Sequence, residues 1–226
     1  MKKFAVIVAG GNGLRMGTET PKQFLLLNSK PILWHTINQF LTAYNNIKII
    51  LVLPQEYLEK GEELKQIFSN EANRIEVVAG GQTRFHSVKN GLKLVEENAV
   101  IFVHDGVRCL VSKGLIERCY EQAMQLGSAI PAVAATDTIR IVEDNQHKVV
   151  DRNNVQIIQT PQTFLSNILL KAFNQPYQNF FTDEATVVET MGENVHLIEG
   201  EYTNIKITRP IDLVVAKGIL TVGCSE

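Results

Sequence analysis

The chain has 226 residues, of which 45% are hydrophobic and 20% are charged, and its formal net charge is −2. This composition is that of a globular protein, so the disordered, collagen-like and low-complexity classes are excluded. With 22 basic against 24 acidic side chains, no excess of positive charge is available to hold a nucleic-acid backbone or an anionic membrane. Any chemistry on phosphate groups must therefore depend on a few placed cations.

The cysteines and the N-terminal residues indicate the cellular compartment in which the protein is expected. Cys109, Cys119 and Cys224 form no C-x-x-C pair, and no histidine stands at zinc-ligand spacing from them. We therefore expect a reduced, cytoplasmic setting rather than a disulfide framework. The first apolar run, Phe4–Gly10, is too short to span a membrane and predicts a strand rather than a signal peptide.

Short runs rich in valine and isoleucine alternate with helical patterns over the first half of the chain. The predicted strands are Phe4–Ala9, Lys48–Leu53, Ile75–Ala79 and Ala99–His104. Apolar residues at helical spacing follow the first, third and fourth of these strands. Continuous apolar strands separated by helices predict an α/β fold, with a mostly parallel, doubly wound sheet covered by helices on both faces.

The regular alternation ends after residue 134. Two β-rich pieces, Thr138–Val142 and His147–Val150, flank a turn-like segment, and a protruding hairpin arm is the simplest interpretation. The remaining pattern predicts a helix, two strands and a closing helix: Phe164–Asn174, Val195–Glu199, Asn204–Lys206 and Pro210–Leu220. We find no internal repeat or linker, so we predict one domain, residues 1–226, with an arm at about 136–159.

The most informative segment follows the first strand and reads Ala9-Gly10-Gly11-Asn12-Gly13. Glycines after a buried strand let backbone N–H groups approach an anion, at the edge of the sheet where ligands bind. The spacing breaks the dinucleotide fingerprint, and the chain has no Gly-Lys-Ser/Thr of a Walker A loop. Arg15 and Lys22 instead suit a triphosphate that is attacked at its α-phosphorus. A glycine-rich turn with two solvated cations is the alternative.

Two further strand ends carry polar residues. Gly80-Gly81-Gln82-Thr83-Arg84 leads into a helix with Ser87, and such a turn can hold a base edge or a phosphate, or can be a plain strand-to-helix turn. In His104-Asp105-Gly106-Val107-Arg108, the acid suits a Mg²⁺ ligand or an orienter of its waters, and a surface Asp–Arg pair is the alternative.

Two segments near the carboxyl terminus complete the set. Thr182-Asp183-Glu184 is explained by helix capping, with acids in a first helical turn. Lys206 and Arg209 are cations that no structural requirement explains.

Together these segments resemble one family. The matching segments are Ala9-Gly10-Gly11-Asn12-Gly13-Leu14-Arg15-Met16, Pro21-Lys22-Gln23, Gly80-Gly81, His104-Asp105, Asp151-Arg152, Thr160-Pro161-Gln162, Thr182-Asp183-Glu184-Ala185 and Asn204-Ile205-Lys206. They are similar to the 2-C-methyl-D-erythritol 4-phosphate cytidylyltransferases of the non-mevalonate isoprenoid pathway. These enzymes join CTP and methylerythritol phosphate to give 4-diphosphocytidyl-2-C-methyl-D-erythritol and pyrophosphate. The resemblance implies a Rossmann-like nucleotidyltransferase fold, Mg²⁺ as cofactor, and a homodimer whose β-arms embrace.

The resemblance also implies a nucleotide side of the site. Arg15 and Lys22 match the cations that hold the CTP phosphates, and Lys206 matches the lysine beside the α-phosphate. The implied nucleotide-binding residues are Ala9, Gly10, Gly11, Asn12, Gly13, Gly81, Gln82 and Ser87. The implied catalytic residues are Arg15, Lys22, Lys206 and Asp105. Asp105 is also the implied metal ligand, directly or through water.

The implied acceptor side uses other segments. Arg108 matches a residue near the acceptor, and Thr182 matches a further acceptor contact. Thr138, Arg152 and Thr160 match the acceptor-binding group near the arm, which is expected to reach the partner's site.

One departure from the family concerns the acceptor. The family's Asp-Ala-Ala-Arg-Pro reads Asp105-Gly106-Val107-Arg108-Cys109 here, and a valine in that turn also occurs in ribitol-5-phosphate cytidylyltransferases. Asp151-Arg152-Asn153, before Thr160-Pro161-Gln162, favours methylerythritol phosphate. The alternatives are the same chemistry on ribitol 5-phosphate and a non-catalytic CTP-binding homologue. An NAD-dependent oxidoreductase is disfavoured by the broken fingerprint.

Overall fold

The computed structural model describes residues 1–11 and 20–222, and these form twelve strands and seven helices. The strands are β1 Lys2–Val8, β2 Leu26–Leu27, β3 Lys30–Pro31, β4 Ile47–Leu53, β5 Ile75–Ala79, β6 Ala99–Asp105, β7 Ser128–Ala134, β8 Ile139–Glu143, β9 Gln146–Val150, β10 Gln156–Ile158, β11 Gln162–Leu165 and β12 Leu197–Glu199. The helices are α1 Ile32–Ala43, α2 Leu58–Gln66, α3 Arg84–Leu92, α4 Lys113–Leu126, α5 Ser166–Ala172, α6 Glu184–Glu189 and α7 Pro210–Val222.

The central sheet has the strand order β10-β7-β11-β6-β1-β4-β5, with β12 paired to β7. Strands β6, β1, β4 and β5 are parallel to one another, whereas β11 and β10 pair antiparallel with their neighbours. The predicted α/β fold with a mostly parallel, helix-covered sheet is confirmed. Among the described helices, none has the length and apolar character needed to cross a membrane.

Side chains of β1 alternate between two hydrophobic cores, one on each face of the sheet. Ala5 and Ile7 belong to the core that α1 and α4 cover, and Phe4 and Val6 belong to the core that α3 covers. Because both faces are covered, the strand is apolar throughout, as expected of a central parallel strand. This packing fixes the positions at which the strands end, and the loops after those ends form the site.

One element prediction starts too early, and another is wrong. The first two residues of the predicted helix Phe164–Asn174 belong to β11, which lies between β6 and β7, and the helix begins only at Ser166. Phe164 and Leu165 fit helical spacing with the apolar residues that follow, and a short apolar run does not separate strand from helix. Asn204–Lys206 forms no strand, because its side chains and main chain bond to separate loops instead of to a neighbouring strand.

The β-rich pieces around residue 145 form an antiparallel pair, β8 and β9, in a two-stranded sheet of their own. Asp144 and Asn145 have φ values of 47° and 64° at the tip, as a tight hairpin turn requires. Val142 and Val149 are 69% and 57% exposed. This hairpin therefore presents apolar side chains away from the cores of the described chain.

Candidate active site

Loops meet at one edge of the sheet, where β1, β5 and β6 end. The N–H of Gly80 donates to the carbonyl of Leu53 at 2.7 Å, and the N–H of Gly106 donates to the carbonyl of Val8 at 2.9 Å. These bonds continue the sheet pairing beyond the strands and bring the loops after β1, β5 and β6 together. The carboxyl ends of parallel strands are the expected place for a ligand.

These loops border a cavity of about 340 Å³, which we name the glycine-loop cavity after Gly10, Gly11 and Gly81 in its wall. The predicted nucleotide-binding residues in this wall are Ala9, Gly10, Gly11, Gly81, Gln82 and Ser87. The predicted catalytic residues in it are Lys22, Asp105 and Lys206. Asn12, Gly13 and Arg15 lie outside the described residues.

The turn after β5 is held by the helix that follows it. The N–H of Gly81 donates to the hydroxyl of Ser87 at 3.1 Å, and that hydroxyl donates to the carbonyl of Thr83 at 3.0 Å. A Cβ at position 81 would lie 2.5 Å from the Cβ of His86, so the turn requires glycine there. Ser87 therefore shapes this wall of the cavity by fixing the backbone of the turn after β5.

Lys22 begins a short 3-10 helix, Lys22–Phe24, directly after Pro21. The side-chain amide of Gln23 donates to the carbonyl of Ala9 at 2.8 Å, which ties this helix to the loop after β1. Lys22 is 9% exposed and lines the glycine-loop cavity. A cation is thereby held beside the glycine turn.

Asp105 ends β6 among cations from three segments. Lys206 Nζ lies 2.8 Å from its Oδ2, and Arg108 Nε lies 3.7 Å from the same oxygen. Arg84 Nη2 lies 3.4 Å from Oδ1. Burial acts to raise the pKa of Asp105, but the charges of Arg84 and Lys206 outweigh it and hold that pKa well below its usual range. The carboxylate is therefore ionised at neutral pH.

Hydrogen bonds behind Asp105 fix the end of β6. Its N–H donates to the hydroxyl of Thr160 at 3.0 Å, and that hydroxyl lies 3.0 Å from Nδ1 of His104. Nε2 of His104 lies 3.0 Å from the carbonyl of Arg108, so Nε2 carries the proton and Nδ1 accepts from Thr160. Burial lowers the pKa of His104 to about 4, so the ring is neutral at pH 7. His104 thus supports the turn from within the protein.

The segment that carries Lys206 is anchored to the same turn. Arg108 Nη1 donates to the carbonyl of Asn204 at 2.8 Å. The side-chain amide of the fully buried Asn204 donates to the carbonyl of Thr160 at 2.9 Å. These contacts explain why a strand-like sequence adopts no sheet pairing here and why Lys206 reaches Asp105.

A second cavity, of about 170 Å³, adjoins the first, and we name it the Thr160 cavity. The predicted acceptor residues in its wall are Arg108, Thr160 and Thr182. Arg84, Asp105 and Lys206 line both cavities. The Asp105 carboxylate therefore lies where the two cavities meet.

The other two predicted acceptor residues lie apart from both cavities. Thr138 is exposed just before β8, and Arg152 is exposed just after β9. Arg152 Nη1 donates to the carbonyl of Thr136 at 3.0 Å, across the base of the hairpin. Within the described part of one protomer, the structure thus does not bring these residues to Asp105.

The sequence pattern predicts no role for Arg84 and explains Glu184 by helix capping. Asp183 is the residue that caps α6, since its Oδ1 accepts from the N–H of Thr186 at 2.9 Å. Glu184 instead forms a two-point ion pair with the guanidinium of Arg84. Burial acts to lower the pKa of Arg84, but the charges of Glu184 and Asp105 outweigh it and raise that pKa. An ion pair between residues 84 and 184 leaves no local signal in the sequence.

The residue that departs from the family motif at position 107 lies in the wall of the glycine-loop cavity. Val107 lines that cavity and is not among the described residues that line the Thr160 cavity. Its carbonyl accepts from the N–H of Ile207 at 3.0 Å. A Cβ at Gly106 would lie 2.9 Å from the Cβ of Ala9 and 3.0 Å from Leu33 Cδ1, so the loop after β1 leaves little space for a larger residue.

The donor set at Asp105 fits Mg²⁺ only as part of a complex with phosphate. Among the described residues, no group of three His, Cys, Asp or Glu side chains is placed to hold a metal. Mg²⁺ characteristically takes one or two carboxylates and completes its shell with water and substrate phosphates. One ionised carboxylate at the edge of a cavity that Lys22 and Lys206 line matches that pattern.

The comparisons with known proteins agree with this geometry. The family model for IspD, 2-C-methyl-D-erythritol 4-phosphate cytidylyltransferase, matches residues 4–222. The chain belongs to this family. The predicted family, fold class and enzyme class, a nucleotidyltransferase, are thereby confirmed.

Similar relatives cover nearly the full length of the chain. A 2-C-methyl-D-erythritol 4-phosphate cytidylyltransferase from Bacteroides thetaiotaomicron is 46% identical over 97% of this chain and 100% of its own. The crystal structure of the enzyme of that name from Francisella tularensis is 33% identical, with a TM-score of 0.77 over 96% of this chain and 99% of its own. The crystal structure of the 4-diphosphocytidyl-2C-methyl-D-erythritol synthase from Anaerococcus prevotii is 26% identical. Its TM-score is 0.82 over 97% of this chain and 98% of its own.

Proposed function

We propose that this chain transfers the cytidylyl group of CTP to 2-C-methyl-D-erythritol 4-phosphate, giving 4-diphosphocytidyl-2-C-methyl-D-erythritol and pyrophosphate. The observation that carries the proposal is the position of Asp105, with Lys206 at 2.8 Å, where two cavities meet. A transfer between two phosphate compounds requires two adjacent anion sites with cations at their boundary. The family's name supplies the identity of the two substrates.

The glycine-loop cavity is assigned to CTP. Its volume, about 340 Å³, lies in the range of small-molecule sites. Backbone N–H groups at a glycine turn and the amine of Lys22 suit a triphosphate. The turn of Gly81 and Gln82 is assigned to the cytosine and ribose, and Arg15 to the phosphates as a second cation.

The Thr160 cavity is assigned to the phosphate of the acceptor. Arg108 and Lys206 supply positive charge there, and the hydroxyl of Thr182 adds a polar contact. An acceptor phosphate at this position faces the α-phosphate of a nucleotide in the adjoining cavity. The geometry therefore favours in-line displacement across the Asp105 boundary.

In this reaction an oxygen of the acceptor phosphate forms a bond to the α-phosphorus, while the bond to the bridging oxygen of pyrophosphate breaks. The attacking phosphate is already ionised near neutral pH, so the protein need not supply a general base. The protein must instead bring two polyanions together. Lys22, Lys206 and Arg15 serve by positioning and by electrostatic stabilisation.

Mg²⁺ is the proposed cofactor, and Asp105 is the residue that would hold it, directly or through water. When bound, the ion supplies positive charge that neutralises phosphate oxygens. The chain's own contribution is to keep Asp105 ionised and in one position. Arg84 and Lys206 provide the charge for this, and Thr160 fixes the backbone at Asp105.

We propose a homodimer in which the arm, residues 136–159, carries Thr138 and Arg152 to the partner's Thr160 cavity. Both residues are exposed on the hairpin, away from the described cavities of their own protomer. β10, β12 and the loop after β12 expose further apolar side chains, namely Ile157, Leu197 and Tyr202, at 49%, 50% and 63%. Both strands pair with β7, and apolar exposure concentrated in one region is typical of an interface.

The chain is proposed to act as a single domain in the cytoplasm. Cys109 and Cys119 are free and buried, and burial raises the pKa of each thiol to about 12. Unreactive, unpaired thiols are in keeping with a reducing compartment.

Pyrophosphate release by the purified protein tests the proposal. CTP and Mg²⁺ are supplied with methylerythritol phosphate or with ribitol 5-phosphate, separately and in competition. We expect release with methylerythritol phosphate and little with ribitol 5-phosphate. The reverse preference would assign the chain to pentitol phosphates, and CTP binding without release under either condition would contradict the enzyme assignment.

A further inference from the structure

The guanidinium of Arg84 lies between two carboxylates at the boundary of the cavities. Its Nη1 donates to Oε1 of Glu184, and its Nη2 donates to Oε2 of Glu184 at 3.0 Å. The same Nη2 lies 3.4 Å from Oδ1 of Asp105. A two-point pair of this kind fixes the plane of the guanidinium as well as its position.

Glu184 is itself held by the sheet. Oε1 of Gln162, on β11, accepts from the N–H of Ala185 at 2.8 Å, and its Nε2 donates to Asp183 at 2.8 Å. The first turn of α6 is therefore anchored at two points to a strand next to β6. Glu184 is 1% exposed and is not among the described residues that line either cavity, whereas Arg84 lines both.

A buried carboxylate is costly unless a charge partner satisfies it, so Glu184 strongly favours one position of Arg84. If Glu184 were neutral, Asp105 would be the remaining carboxylate within reach of Arg84. Arg84 would then be drawn toward Asp105 or toward a bound phosphate, and the geometry of the boundary would change.

On the basis of the proposed function, we infer that Glu184 is a positioning residue for cytidylyl transfer. It fixes Arg84 between the two cavities and, through Arg84, restrains the carboxylate of Asp105. The effect should fall on turnover more than on substrate binding, because Glu184 touches neither cavity and Asp105 lies where they meet.

The first test is Glu184→Gln, which keeps the side-chain shape and removes its charge. We expect kcat to fall about 10- to 100-fold, the usual effect of losing an outer-shell partner, while KM for each substrate changes by much less. The matched control is Glu117→Gln, because Glu117 forms an exposed pair with Lys113 on α4. An unchanged kcat, or a loss confined to KM, would overturn the inference.

The second test is chemical rescue, which a purely structural role does not predict. Arg84→Ala leaves the Glu184 carboxylate as a receptor for free guanidinium. We expect millimolar guanidinium chloride, against sodium chloride at equal ionic strength, to restore turnover saturably and to raise the melting temperature. The double variant Arg84→Ala with Glu184→Gln should show neither response. Rescue that is absent, or that is equal in the double variant, would overturn the inference.

Turnover of the wild-type protein distinguishes failure of the positioning role from failure of the proposed function. Wild-type turnover with no effect of Glu184→Gln and no rescue would overturn the positioning role alone. A wild-type protein that releases no pyrophosphate would overturn the proposed function, and with it a positioning role defined for that reaction.

Discussion

The two cavities that meet at Asp105 are built in different ways. The glycine-loop cavity is formed mainly by turns directly after parallel strands, and backbone contacts such as that of Gly81 with Ser87 define it. The Thr160 cavity collects side chains from the turn after β6, the segment after β10 and the start of α6. Two predicted acceptor residues lie elsewhere, on the exposed hairpin.

In the proposed dimer, this difference separates what one protomer provides from what a second protomer would add. The described walls of the proposed nucleotide side come mainly from the turns that follow neighbouring strands of one sheet. The acceptor side, in the proposed dimer, is completed by the partner's arm. A backbone-built cavity should be sensitive to an added Cβ, whereas the boundary between the cavities should be sensitive to single charges.

Lys206→Ala should have the largest effect, because Lys206 lines both cavities and pairs with Asp105 at 2.8 Å. We expect kcat to fall about a hundredfold to a thousandfold, or about 2.7–4 kcal/mol, by analogy with the loss of an oxyanion donor. Steady-state pyrophosphate release measures this. Lys113→Ala, at an exposed site paired with Glu117, is the control. A variant with near-normal turnover would show that Lys206 has no part in the chemistry.

Stability should depend on pH through His104. Its pKa is about 4 in the fold against about 6.5 in an unfolded chain. The unfolded state therefore takes up this proton first, so the free energy of unfolding is fully present above about pH 6.5 and declines toward about pH 4. The His104 contribution amounts to a loss of about 2 kcal/mol between pH 7 and pH 5.

Urea unfolding of wild type and His104→Gln at both pH values isolates that contribution, with the exposed His147→Gln as the control. The dependence on pH should be smaller in His104→Gln than in wild type. An identical dependence in both proteins would contradict the assignment of a neutral, buried ring to His104.

Gly81→Ala should weaken the nucleotide side selectively. The new Cβ would lie 2.5 Å from the Cβ of His86, so the turn must shift. We expect KM for CTP to rise about two- to tenfold, the worth of one hydrogen bond at about 0.5–1.5 kcal/mol, with KM for the acceptor unchanged. In the control Gly114→Ala, the nearest atom is Arg118 Nη1 at 3.6 Å, an ordinary contact. Equal changes in both KM values would contradict the separation of the two cavities.

Val107→Ala should have the smallest effect of these substitutions. The property that it tests is the choice of acceptor. Val107 lines the glycine-loop cavity, and the described wall of the Thr160 cavity does not include it. The ratio of kcat/KM for methylerythritol phosphate to that for ribitol 5-phosphate should therefore change less than about tenfold, the low end for a direct methylene contact. Competition between the two acceptors measures the ratio, and a larger change would place Val107 on the acceptor side.

The parts of the fold that the sequence predicts are those with local signals. Runs such as Ile75–Ala79 identify the parallel strands, and glycines after them identify the loops at the ligand edge. The sequence singles out Asp105 and Lys206 separately, and the family resemblance assigns both to one site; the fold brings them together although 101 positions separate them. Neither periodicity nor spacing reveals that contact.

The misses have a common physical origin in contacts made over long sequence distances. β11 is recognisable as a strand only from its neighbours, since Phe164 and Leu165 fit a helix equally well. From the sequence alone, Glu184 is explained as an acid in a first helical turn, whereas in the fold it pairs with Arg84. From the sequence alone, Asn204 is predicted to be part of a strand, whereas in the fold its side-chain amide donates to the carbonyl of Thr160. In each case a tertiary partner outweighs the local pattern.

Mixing two variants tests whether a partner's arm completes the proposed acceptor side. Arg152→Ala lacks the proposed arm contact, and Lys206→Ala lacks the boundary cation, so each homodimer should be nearly inactive. After the two proteins are unfolded and refolded together, each mixed dimer has one site with both residues intact. We expect pyrophosphate release to rise well above that of either parent. Mixed dimers with no more activity than the parents would show that Arg152 acts within its own protomer, and the proposed arm exchange would then be wrong.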